Sequence, residues 1–393
     1  MIVFVTKSLC YHQVYVADDL YEIYGDSFAF IQMREPLDWR VENHQEGFDR
    51  KYLITYPNEV KKANKLIKEA DVIVFGEAPL KLIKQRKKNC LLFKMSENIF
   101  KDTQFKTLIY GKIKRWLSYK YLKFLTNNSH SFLLACGGFA YNDYEKINIF
   151  KNRALKWGYF PQMPNYSIQL VKNKFDNKGI IEMVWISRLV KYKNPLVLIS
   201  LANHLLEKEI DNFHINVVGD SSESDYDFFS HMQQSIKDYN LSKYISMIGK
   251  VNAEDVFDYY KMAHIALFTS DKSEGWSVGI SEAMSCGCVV ITSNVIGAAP
   301  FLIDKSNGLV YEYGSEKQLF KCVIDIMDKP EEMKKIGVAA YNNIHEIWNH
   351  KNAANSFSNL VNKYLKEKII EPAKNGPCSI ASHIDFSWDN ENK

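Results

Sequence analysis

Short apolar runs alternate with amphipathic stretches along the whole chain. In the first half, apolar runs of strand length occupy residues 2–5, 28–32, 72–75, 91–93 and 132–135. Between two of them, residues 57–70 carry apolar side chains at helical spacing. A second set of apolar runs lies at residues 181–186, 215–218, 245–248, 265–268, 289–291 and 308–310. Strands that alternate with helices favour parallel sheets with helices on both faces, so the pattern predicts two serial α/β units.

A polar segment with two prolines separates the two sets of apolar runs. Pro161, Pro164 and the polar cluster at residues 173–178 place a linker near residues 161–179. We predict an N-terminal domain over residues 1–165 and a C-terminal domain over residues 166–345. A helix over about 346–370 is expected to cross back to the first domain, and residues 371–393 form a tail. The tail contains two prolines and a glycine, which is typical of a segment that is poorly ordered or lies on the domain surface.

Composition narrows the class of protein. The chain has 393 residues, of which 46% are hydrophobic and 24% charged, as in globular proteins. Lys and Arg number 50 against 46 Asp and Glu, a balance that argues against a general nucleic-acid binder. The apolar run at the start of the sequence is too short for the core of a signal peptide. The sequence also has no apolar run of about 18 residues that would span a bilayer. We therefore expect a cytoplasmic protein.

The cysteines do not predict a disulfide framework or a metal site. There are 7 cysteines, and none of them form a CxxC pair. Cys286 and Cys288 are close in sequence, but no histidine or second pair lies nearby, so we expect no bound metal. These residues are expected to be reduced thiols.

The strongest chemical signal is a pair of glutamates, Glu274 and Glu282, around a turn of small residues. The turn follows an apolar strand and precedes a helical pattern, and Gly275, Ser277 and Gly279 let the backbone approach a ligand closely. A helix that starts here directs free N–H groups at an anion. One carboxylate is then placed to contact a sugar and the other a vicinal diol such as a ribose. The alternative is that both are solvated glutamates near a helix start.

The second signal is Arg188, followed five residues later by Lys193, directly after the strand that opens the second unit. Arg188 is the only arginine after residue 153, in a region where lysines supply the other side-chain cations. A guanidinium binds phosphate oxygens in a bidentate manner, and two cations suit a departing nucleoside diphosphate. The alternative is an arginine that pairs with a carboxylate at a strand end.

Weaker candidates lie at the ends of two further strands. Gly219 follows one strand, and Lys250 and Val251 follow another, at the sheet edge where open α/β folds bind ligands. Each segment is equally compatible with a plain turn. The sequence has neither a GxGxxG nor a P-loop motif, which disfavours ordinary dinucleotide binding and P-loop chemistry.

With Arg188, Lys193, Glu274 and Glu282 in this order, the chain resembles the retaining nucleotide-sugar glycosyltransferases of the GT-B superfamily, family 4 in particular (glycosyl transferases group 1). That family carries an Arg-Leu-x-x-x-Lys element and a later Glu-x7-Glu element. The resemblance covers roughly residues 180–345. It implies two Rossmann-like α/β domains that face an inter-domain cleft.

The resemblance also implies roles for individual residues. Arg188 and Lys193 would bind the donor diphosphate, Glu282 the ribose hydroxyls and Glu274 the donor sugar. The backbone around Ser277, Val278 and Gly279 would hold the distal phosphate, with Gly219, Lys250 and Val251 as further donor contacts. The family mechanism, in which the leaving phosphate deprotonates the acceptor on the same face, implies no cofactor and no metal.

The first half of the chain is less typical of the family. The loop after its first strand, which contains His12, lacks the glycines that many members have there, and Glu97 stands where many members have a histidine. His12 and Glu97 are the acceptor-side candidates. For Glu97, a position beside a capping Ser96 or on the surface is the alternative.

A basic, aromatic segment spans Lys101 to Lys123, with Asp102 as its single acid. Such a helix suits docking on an anionic membrane surface. The alternative is a helix that packs its apolar face on the first domain. The family resemblance favours docking, because many bacterial members extend lipid-linked glycans at the inner face of the plasma membrane.

The expected function is retaining transfer of a sugar from a UDP- or GDP-sugar to a glycan acceptor, lipid-linked, in bacterial O-antigen or capsule synthesis. The alternatives are a catalytically silent GT-B scaffold that binds glycans or protein partners, and a phosphorylase or epimerase of the same architecture. The sequence leaves the donor base, the sugar, the acceptor and the linkage open.

Overall fold

The computed structural model describes residues 1–42, 44–100, 109–176, 179–221, 227–385 and 387. Contacts divide the chain into two compact units. The first combines Met1–Gln162 with Ile347–Ile384, and the second consists chiefly of Met163–Glu346. The first unit is therefore built from two segments that are far apart in sequence, whereas the main part of the second unit is one continuous segment.

The first unit is organised around a parallel sheet. Its strands are β1 (Ile2–Thr6), β2 (Phe28–Gln32), β3 (Leu53–Thr55), β4 (Val72–Phe75), β5 (Leu91–Ser96), β6 (Ser131–Cys136) and β7 (Ala154–Trp157). Within the described residues the sheet order is β3-β2-β1-β4-β5-β6-β7. The helices before residue 162 are α1 (Val14–Tyr24), α2 (Asp38–Glu42), α3 (Val60–Glu69), α4 (Leu80–Ile83), α5 (Ile109–Thr126) and α6 (Ala140–Lys146), with a 3-10 turn at Gly25–Ser27.

The second unit repeats this architecture. Its strands are β8 (Ile181–Ile186), β9 (Phe213–Val218), β10 (Ile245–Gly249), β11 (Ile265–Phe268), β12 (Val289–Ser293) and β13 (Leu309–Tyr311). In the described part of the chain they pair in the order β10-β9-β8-β11-β12-β13. The helices are α7 (Ile168–Lys174), α8 (Val197–Glu207), α9 (Phe228–Asp238), α10 (Val256–Met262), α11 (Val278–Ser285), α12 (Ala299–Leu302), α13 (Glu316–Met327) and α14 (Pro330–Asn342), with a 3-10 turn at Lys191–Lys193 and a π-helical turn at Asn343–Ile347.

Both sheets are parallel and reverse their strand order once, between β1 and β4 and between β8 and β11. Each unit is thus a Rossmann-like α/β domain, as the alternation of apolar runs predicts. The central strands are apolar throughout because helices cover both faces of the sheet. All four residues of β4 and of β11 are buried. Ligands of such folds bind beyond the carboxyl ends of the strands, where the order reverses.

The returning segment completes the core of the first unit. Helix α15 (His350–Glu367) packs against α1, and its Phe357 is fully buried. The Phe357 ring lies 5.6 Å from the ring of Phe4 and 5.4 Å from that of Phe93, between centroids. Tyr24 Oη donates a hydrogen bond to Ser358 Oγ at 2.8 Å. The helix expected over about 346–370 therefore contributes to the same core as β1 and β5.

The segment after α15 lies along the edge strand β7. Lys156 N donates to Ser379 O at 2.7 Å, Cys378 N donates to Lys156 O at 2.8 Å, and Ala381 N donates to Ala154 O at 3.0 Å. Cys378 is fully buried. Of the two alternatives expected for the tail, poor order or a position on the domain surface, this part shows the second, because it lies against β7. Its order comes from hydrogen bonds to a distant strand, which the composition of the tail does not reveal.

The basic segment is described in part. Residues 101–108 lie outside the described residues, and from Ile109 the segment forms α5, which extends to Thr126. Leu122 and Leu125 of this helix are buried, whereas Trp116, Leu117 and Phe124 are exposed. No helix within the described residues is both long and apolar enough to cross a membrane.

Candidate active site

The four residues of the two motifs lie at the carboxyl edge of the second sheet. Arg188 follows β8, and Lys193 ends the 3-10 turn behind it. Glu274 lies in the loop after β11, and Glu282 lies about one turn inside α11. Because β8 and β11 are neighbours in the sheet, the two motifs meet where the strand order reverses.

Lys193 and Glu274 form an ion pair between Nζ and Oε2. Each side chain is only 13% exposed, so the pair is largely shielded from water. The turn that carries Lys193 is fixed by Thr269, whose hydroxyl accepts from Trp185 Nε1 at 2.9 Å and donates to Lys193 O at 2.7 Å. The backbone of Lys193 and the ion-pair partner of its side chain are therefore both provided by the segment that follows β11.

Arg188 is the exposed cation of the site. Its Nη2 donates to Tyr192 Oη at 2.9 Å, which holds the guanidinium beside the turn that carries Lys193. Tyr192 O in turn accepts from Asp271 N at 2.8 Å, which ties this turn to the loop after β11. A guanidinium held by a neutral hydroxyl keeps its charge available for an anion.

The loop after β11 leads into α11 through a strained residue. Ser277 has φ 61 and ψ 79, the left-handed region, and within the described chain its side chain makes no capping hydrogen bond. Non-glycine residues in this region cost about 1–3 kcal/mol and cluster at functional sites. Behind the turn, Gly279 packs so closely that an added Cβ would lie 3.0 Å from Tyr260 Oη and 3.1 Å from Phe268 Cε1. The N-terminus of α11, which begins at Val278, is thereby held firmly at the sheet edge.

The weaker candidates are only partly brought together with the ion pair. Gly219 has φ +131, and an added Cβ would lie 1.8 Å from Ser187 O, so this glycine lets β9 approach the backbone before Arg188. Lys250 and Val251 follow β10, two strands away from β8, and Lys250 is exposed. The contacts in the described residues do not join Lys250 or Val251 to Lys193 or Glu274.

In the first unit, the two acceptor-side candidates are joined by a tyrosine. The ring of His12 stacks on Tyr159 with centroids 4.8 Å apart and planes at 10°. Tyr159 Oη donates to Glu97 Oε1 at 2.6 Å. Burial lowers the pKa of His12 to about 4, so its imidazole is neutral near pH 7. Burial, together with the Glu97 carboxylate, raises the pKa of Tyr159, which keeps its hydroxyl a donor.

A surface cavity of about 770 Å³ opens at the other edge of the second sheet, at the amino ends of β8 and β9. Its polar lining is paired within the protein. Glu182 Oε2 accepts from Asn216 Nδ2 at 3.2 Å, and the ring of His264 bridges Lys174 O and Glu182 N at 3.0 Å each. None of the predicted site residues lines this cavity. Its groups serve the packing of α7 on the sheet.

The structure adds three polar residues to the predicted site residues. Tyr192 and Thr269 position Arg188 and the turn that carries Lys193, and Tyr159 links His12 to Glu97. Tyr192 lies between Arg188 and Lys193 in the sequence, so its place beside them could have been anticipated. Thr269 and Tyr159 act through partners more than 60 residues away, which a local pattern cannot reveal.

Comparison with known proteins finds a family that this region resembles. Residues 169–343 match the model of the family described as Glycosyl transferases group 1. An uncharacterized glycosyltransferase of Methanocaldococcus jannaschii is 25% identical over 195 residues, which are 50% of this chain and 48% of that protein. The capsular polysaccharide biosynthesis glycosyltransferase CapH of Staphylococcus aureus is 31% identical over 124 residues, 31% of this chain and 33% of that protein. The matched part therefore spans no more than about half of these relatives.

Solved structures match nearly the whole chain. The Anabaena protein HepE, in complex with UDP, covers 92% of this chain with 99% of its own length, at a TM-score of 0.65 and 14% identity. Sucrose-phosphate synthase from Thermosynechococcus elongatus covers 93% of this chain at a TM-score of 0.65 and 13% identity. At this level of sequence identity, the similarity shows the fold only. The fold is that of the GT-B glycosyltransferases, with two Rossmann-like α/β domains.

Proposed function

We propose that the protein transfers a sugar from a nucleotide diphosphate sugar to a glycan acceptor, with retention of the anomeric configuration, as in glycosyltransferase family 4. The observation that carries the proposal is the ion pair between Lys193 and Glu274 beside the point where the second sheet reverses its order. Arg188 lies next to the same turn through its hydrogen bond to Tyr192. The group 1 match to this region and the UDP complex of HepE support a nucleotide-sugar donor.

Each residue has a distinct task in the proposed reaction. Arg188 and Lys193 bind the diphosphate, and the first N–H groups of α11, at Val278 and Gly279, meet its distal phosphate. Glu282 accepts hydrogen bonds from the ribose hydroxyls, and Glu274 accepts them from the transferred sugar.

The chemistry proceeds without a side-chain nucleophile. The bond between the anomeric carbon and the diphosphate oxygen breaks while the acceptor oxygen bonds to the same face of that carbon. The acceptor proton passes to the departing phosphate oxygen. Arg188 and Lys193 stabilise the negative charge that grows on the diphosphate, so the reaction is proposed to need no metal ion.

A thermal-shift panel with UDP, GDP, ADP, CMP and dTDP, with and without magnesium, tests the donor site. A ligand that binds only the folded protein stabilises it by about 1.4 kcal/mol at ten times its Kd, which raises Tm. We expect one diphosphate to raise Tm independently of magnesium, and Arg188→Ala to abolish the shift. Arg188 is exposed, so the substitution is expected to leave the Tm of the free protein unchanged.

Lys208→Ala, which removes an exposed cation at the end of α8, is the matched control and should respond like wild type. A protein that no nucleotide stabilises near about 1 mM has no donor site of this kind. The silent scaffold would then be the better description. A shift that survives Arg188→Ala would remove the diphosphate role of the arginine.

The acceptor is proposed to be a lipid-linked glycan, bound by the first unit near His12 and Glu97 and reached by docking on an anionic membrane. The exposed surface of α5 supports this docking. Trp116 and Leu117 are each 53% exposed and Phe124 is 75% exposed. These three residues, with Lys120 and Lys123, recur at spacings that place them on one side of the helix. An apolar side in water favours transfer into the interfacial layer of a bilayer.

The charge around this side of α5 is of one sign. Lys120 Nζ lies 3.8 Å from the centre of the Trp116 ring, and Arg86 Nη2 donates to Leu125 O, which ties the segment after α4 to α5. Residues 79–90 and 109–126 contain no aspartate or glutamate. Exposed lysines beside anionic lipids contribute about 1 kcal/mol each.

Vesicle sedimentation tests the docking. Wild type is expected to bind phosphatidylcholine vesicles that contain phosphatidylglycerol, and less so as salt rises. The triple variant Trp116→Ser, Leu117→Ser and Phe124→Ser should lose most of this binding. The control is Leu170→Ser, Ile180→Ser and Met262→Ser, three residues of the second unit that are 50%, 56% and 58% exposed. Equal binding by both triple variants, or a wild type that stays in solution, would refute the docking and leave the donor site untouched.

A further inference from the structure

The ion pair between Lys193 and Glu274 joins two groups that the proposed function assigns to different parts of the donor. Lys193 is assigned to the diphosphate and Glu274 to the transferred sugar. In the structure each satisfies the charge of the other. A donor therefore has to separate them before either group does its proposed work.

We propose that this ion pair selects an intact nucleotide sugar over a nucleoside diphosphate. The inference rests on the proposed function and adds a specificity element to the same site. A diphosphate competes with Glu274 for Lys193. A ligand that takes the lysine leaves behind a carboxylate that is only 13% exposed and has lost its cation. An ionised group in that position is costly unless new hydrogen bonds replace the lost partner.

The sugar supplies those hydrogen bonds. Its hydroxyls donate to Glu274, so a nucleotide sugar exchanges one ion pair for a lysine–phosphate pair and a set of sugar–carboxylate hydrogen bonds. A nucleoside diphosphate, or inorganic pyrophosphate, offers the phosphate alone. It has to break the ion pair with nothing to give the carboxylate. The same asymmetry assists product release, because after transfer the diphosphate no longer carries hydroxyls for Glu274 and the ion pair can re-form.

The surroundings of Lys193 suit this exchange. The backbone of the lysine is fixed by Thr269, and its ammonium lies 5.4 Å from the centre of the Tyr192 ring, so the charge stays in the site when it leaves Glu274. Arg188 differs, since the hydrogen bond described for it is to the neutral hydroxyl of Tyr192. An incoming diphosphate meets Arg188 without displacing a carboxylate, and only the lysine imposes the choice.

Titration calorimetry of Glu274→Gln tests the inference. The ligands are UDP, GDP and ADP, the matching UDP-glucose, GDP-mannose and ADP-glucose, and inorganic pyrophosphate. We expect Glu274→Gln to bind the preferred nucleoside diphosphate and pyrophosphate about tenfold more tightly than wild type, which is about 1.4 kcal/mol. Its affinity for the nucleotide sugar should not increase. Glu254→Gln, which removes the same charge at an exposed position of this unit, should behave like wild type.

A double-mutant cycle separates the ion pair from a general loss of negative charge. In a Lys193→Gln background, Glu274→Gln should no longer strengthen diphosphate binding, because the pair is already broken. A gain that persists in that background would overturn the inference. A diphosphate affinity of Glu274→Gln within twofold of wild type, or weaker, would overturn it as well.

Wild type alone provides a measurement that does not depend on the folding of a variant. It should bind the nucleotide sugar at least about tenfold more tightly than the corresponding nucleoside diphosphate. Equal affinities would overturn the selection while leaving the donor site in place. A wild type that binds neither ligand would refute the proposed function together with the inference that rests on it.

Discussion

Replacing Gly219 by alanine adds one methyl group at the end of β9. The residue has φ +131, and the new Cβ would lie 1.8 Å from Ser187 O and 3.6 Å from Arg188 N. The nearest atom belongs to the backbone, so a side-chain rotation cannot relieve the contact. Either β9 or the segment before Arg188 has to move. Gly219 N also donates to Gly249 O at 2.8 Å, which limits movement toward β10.

Two costs add up at this position. An alanine at positive φ costs roughly 1–2 kcal/mol. Forcing a methyl group into a packed region costs roughly 1–3 kcal/mol more. We therefore expect Gly219→Ala to lower the free energy of unfolding of the second unit by about 2–5 kcal/mol. Gly314 is the matched control, because it has φ +86 and its added Cβ would have no atom within 4 Å. Gly314→Ala should lose only the conformational part, about 1–2 kcal/mol.

Urea unfolding followed by pulsed thiol labelling resolves the two units. The buried free thiols of Cys286 and Cys288 report on the second unit, and those of Cys90 and Cys136 report on the first. With an m-value of about 2 kcal/mol/M, the midpoint for the second unit should fall by about 1–2.5 M in Gly219→Ala and by about 0.5–1 M in Gly314→Ala. The first unit should unfold as in wild type. Equal midpoints in the two variants would refute the argument from the Ser187 contact.

Two further predictions concern the first unit. Burial lowers the pKa of His12 from 6.5 to about 4, so the unfolded chain binds more protons in that range and the unit should lose stability as pH falls from about 6.5 to about 4. His12→Phe should flatten this dependence in urea titrations at pH 7 and about 4.5, and an unchanged slope would contradict the burial of a neutral imidazole. Truncation after Gly376 removes the three backbone hydrogen bonds to β7 and should cost about 3 kcal/mol at about 1 kcal/mol each. Light scattering should also detect association of this truncated protein through the exposed edge of β7. The control, truncation after Asp385, should behave like the full chain. Equal behaviour of the two truncated proteins would show that the contact with β7 contributes nothing to stability.

The central strands could be predicted from the sequence because they are buried on both faces. Such strands are continuous apolar runs that local pattern detects, as in β4 and β11. The pattern missed β3 and β7, which are the two edges of the first sheet. Each is 3 or 4 residues long, and β7 includes Lys156. Edge strands are defined by the neighbour they pair with more than by their own composition.

The candidate site could be predicted at the level of residue types and chain order. Arg188 and Glu274 follow strands that a doubly wound sheet brings side by side, so their proximity follows from topology. The ion pair of Lys193 with Glu274 does not follow, because it depends on how far the two loops fold over the sheet edge. The hydrophobic and polar pattern of the sequence also does not predict the left-handed backbone conformation of Ser277. Serine has no intrinsic preference for it. The residues before Ser277 are held by partners that are distant in sequence, since Gly297 N donates to Gly275 O at 2.9 Å and Ala298 N to Trp276 O at 3.1 Å.

The division of the first unit into Met1–Gln162 and Ile347–Ile384 has a consequence for synthesis. The ribosome adds about 5–20 residues per second, and domains generally fold as they emerge. The main part of the second unit, Met163–Glu346, is synthesised while the first unit still lacks Phe357 for its aromatic core and Cys378 for the edge of β7. The first unit is thus begun first and completed last, and its core stays open and β7 stays uncovered for on the order of ten seconds or more during synthesis.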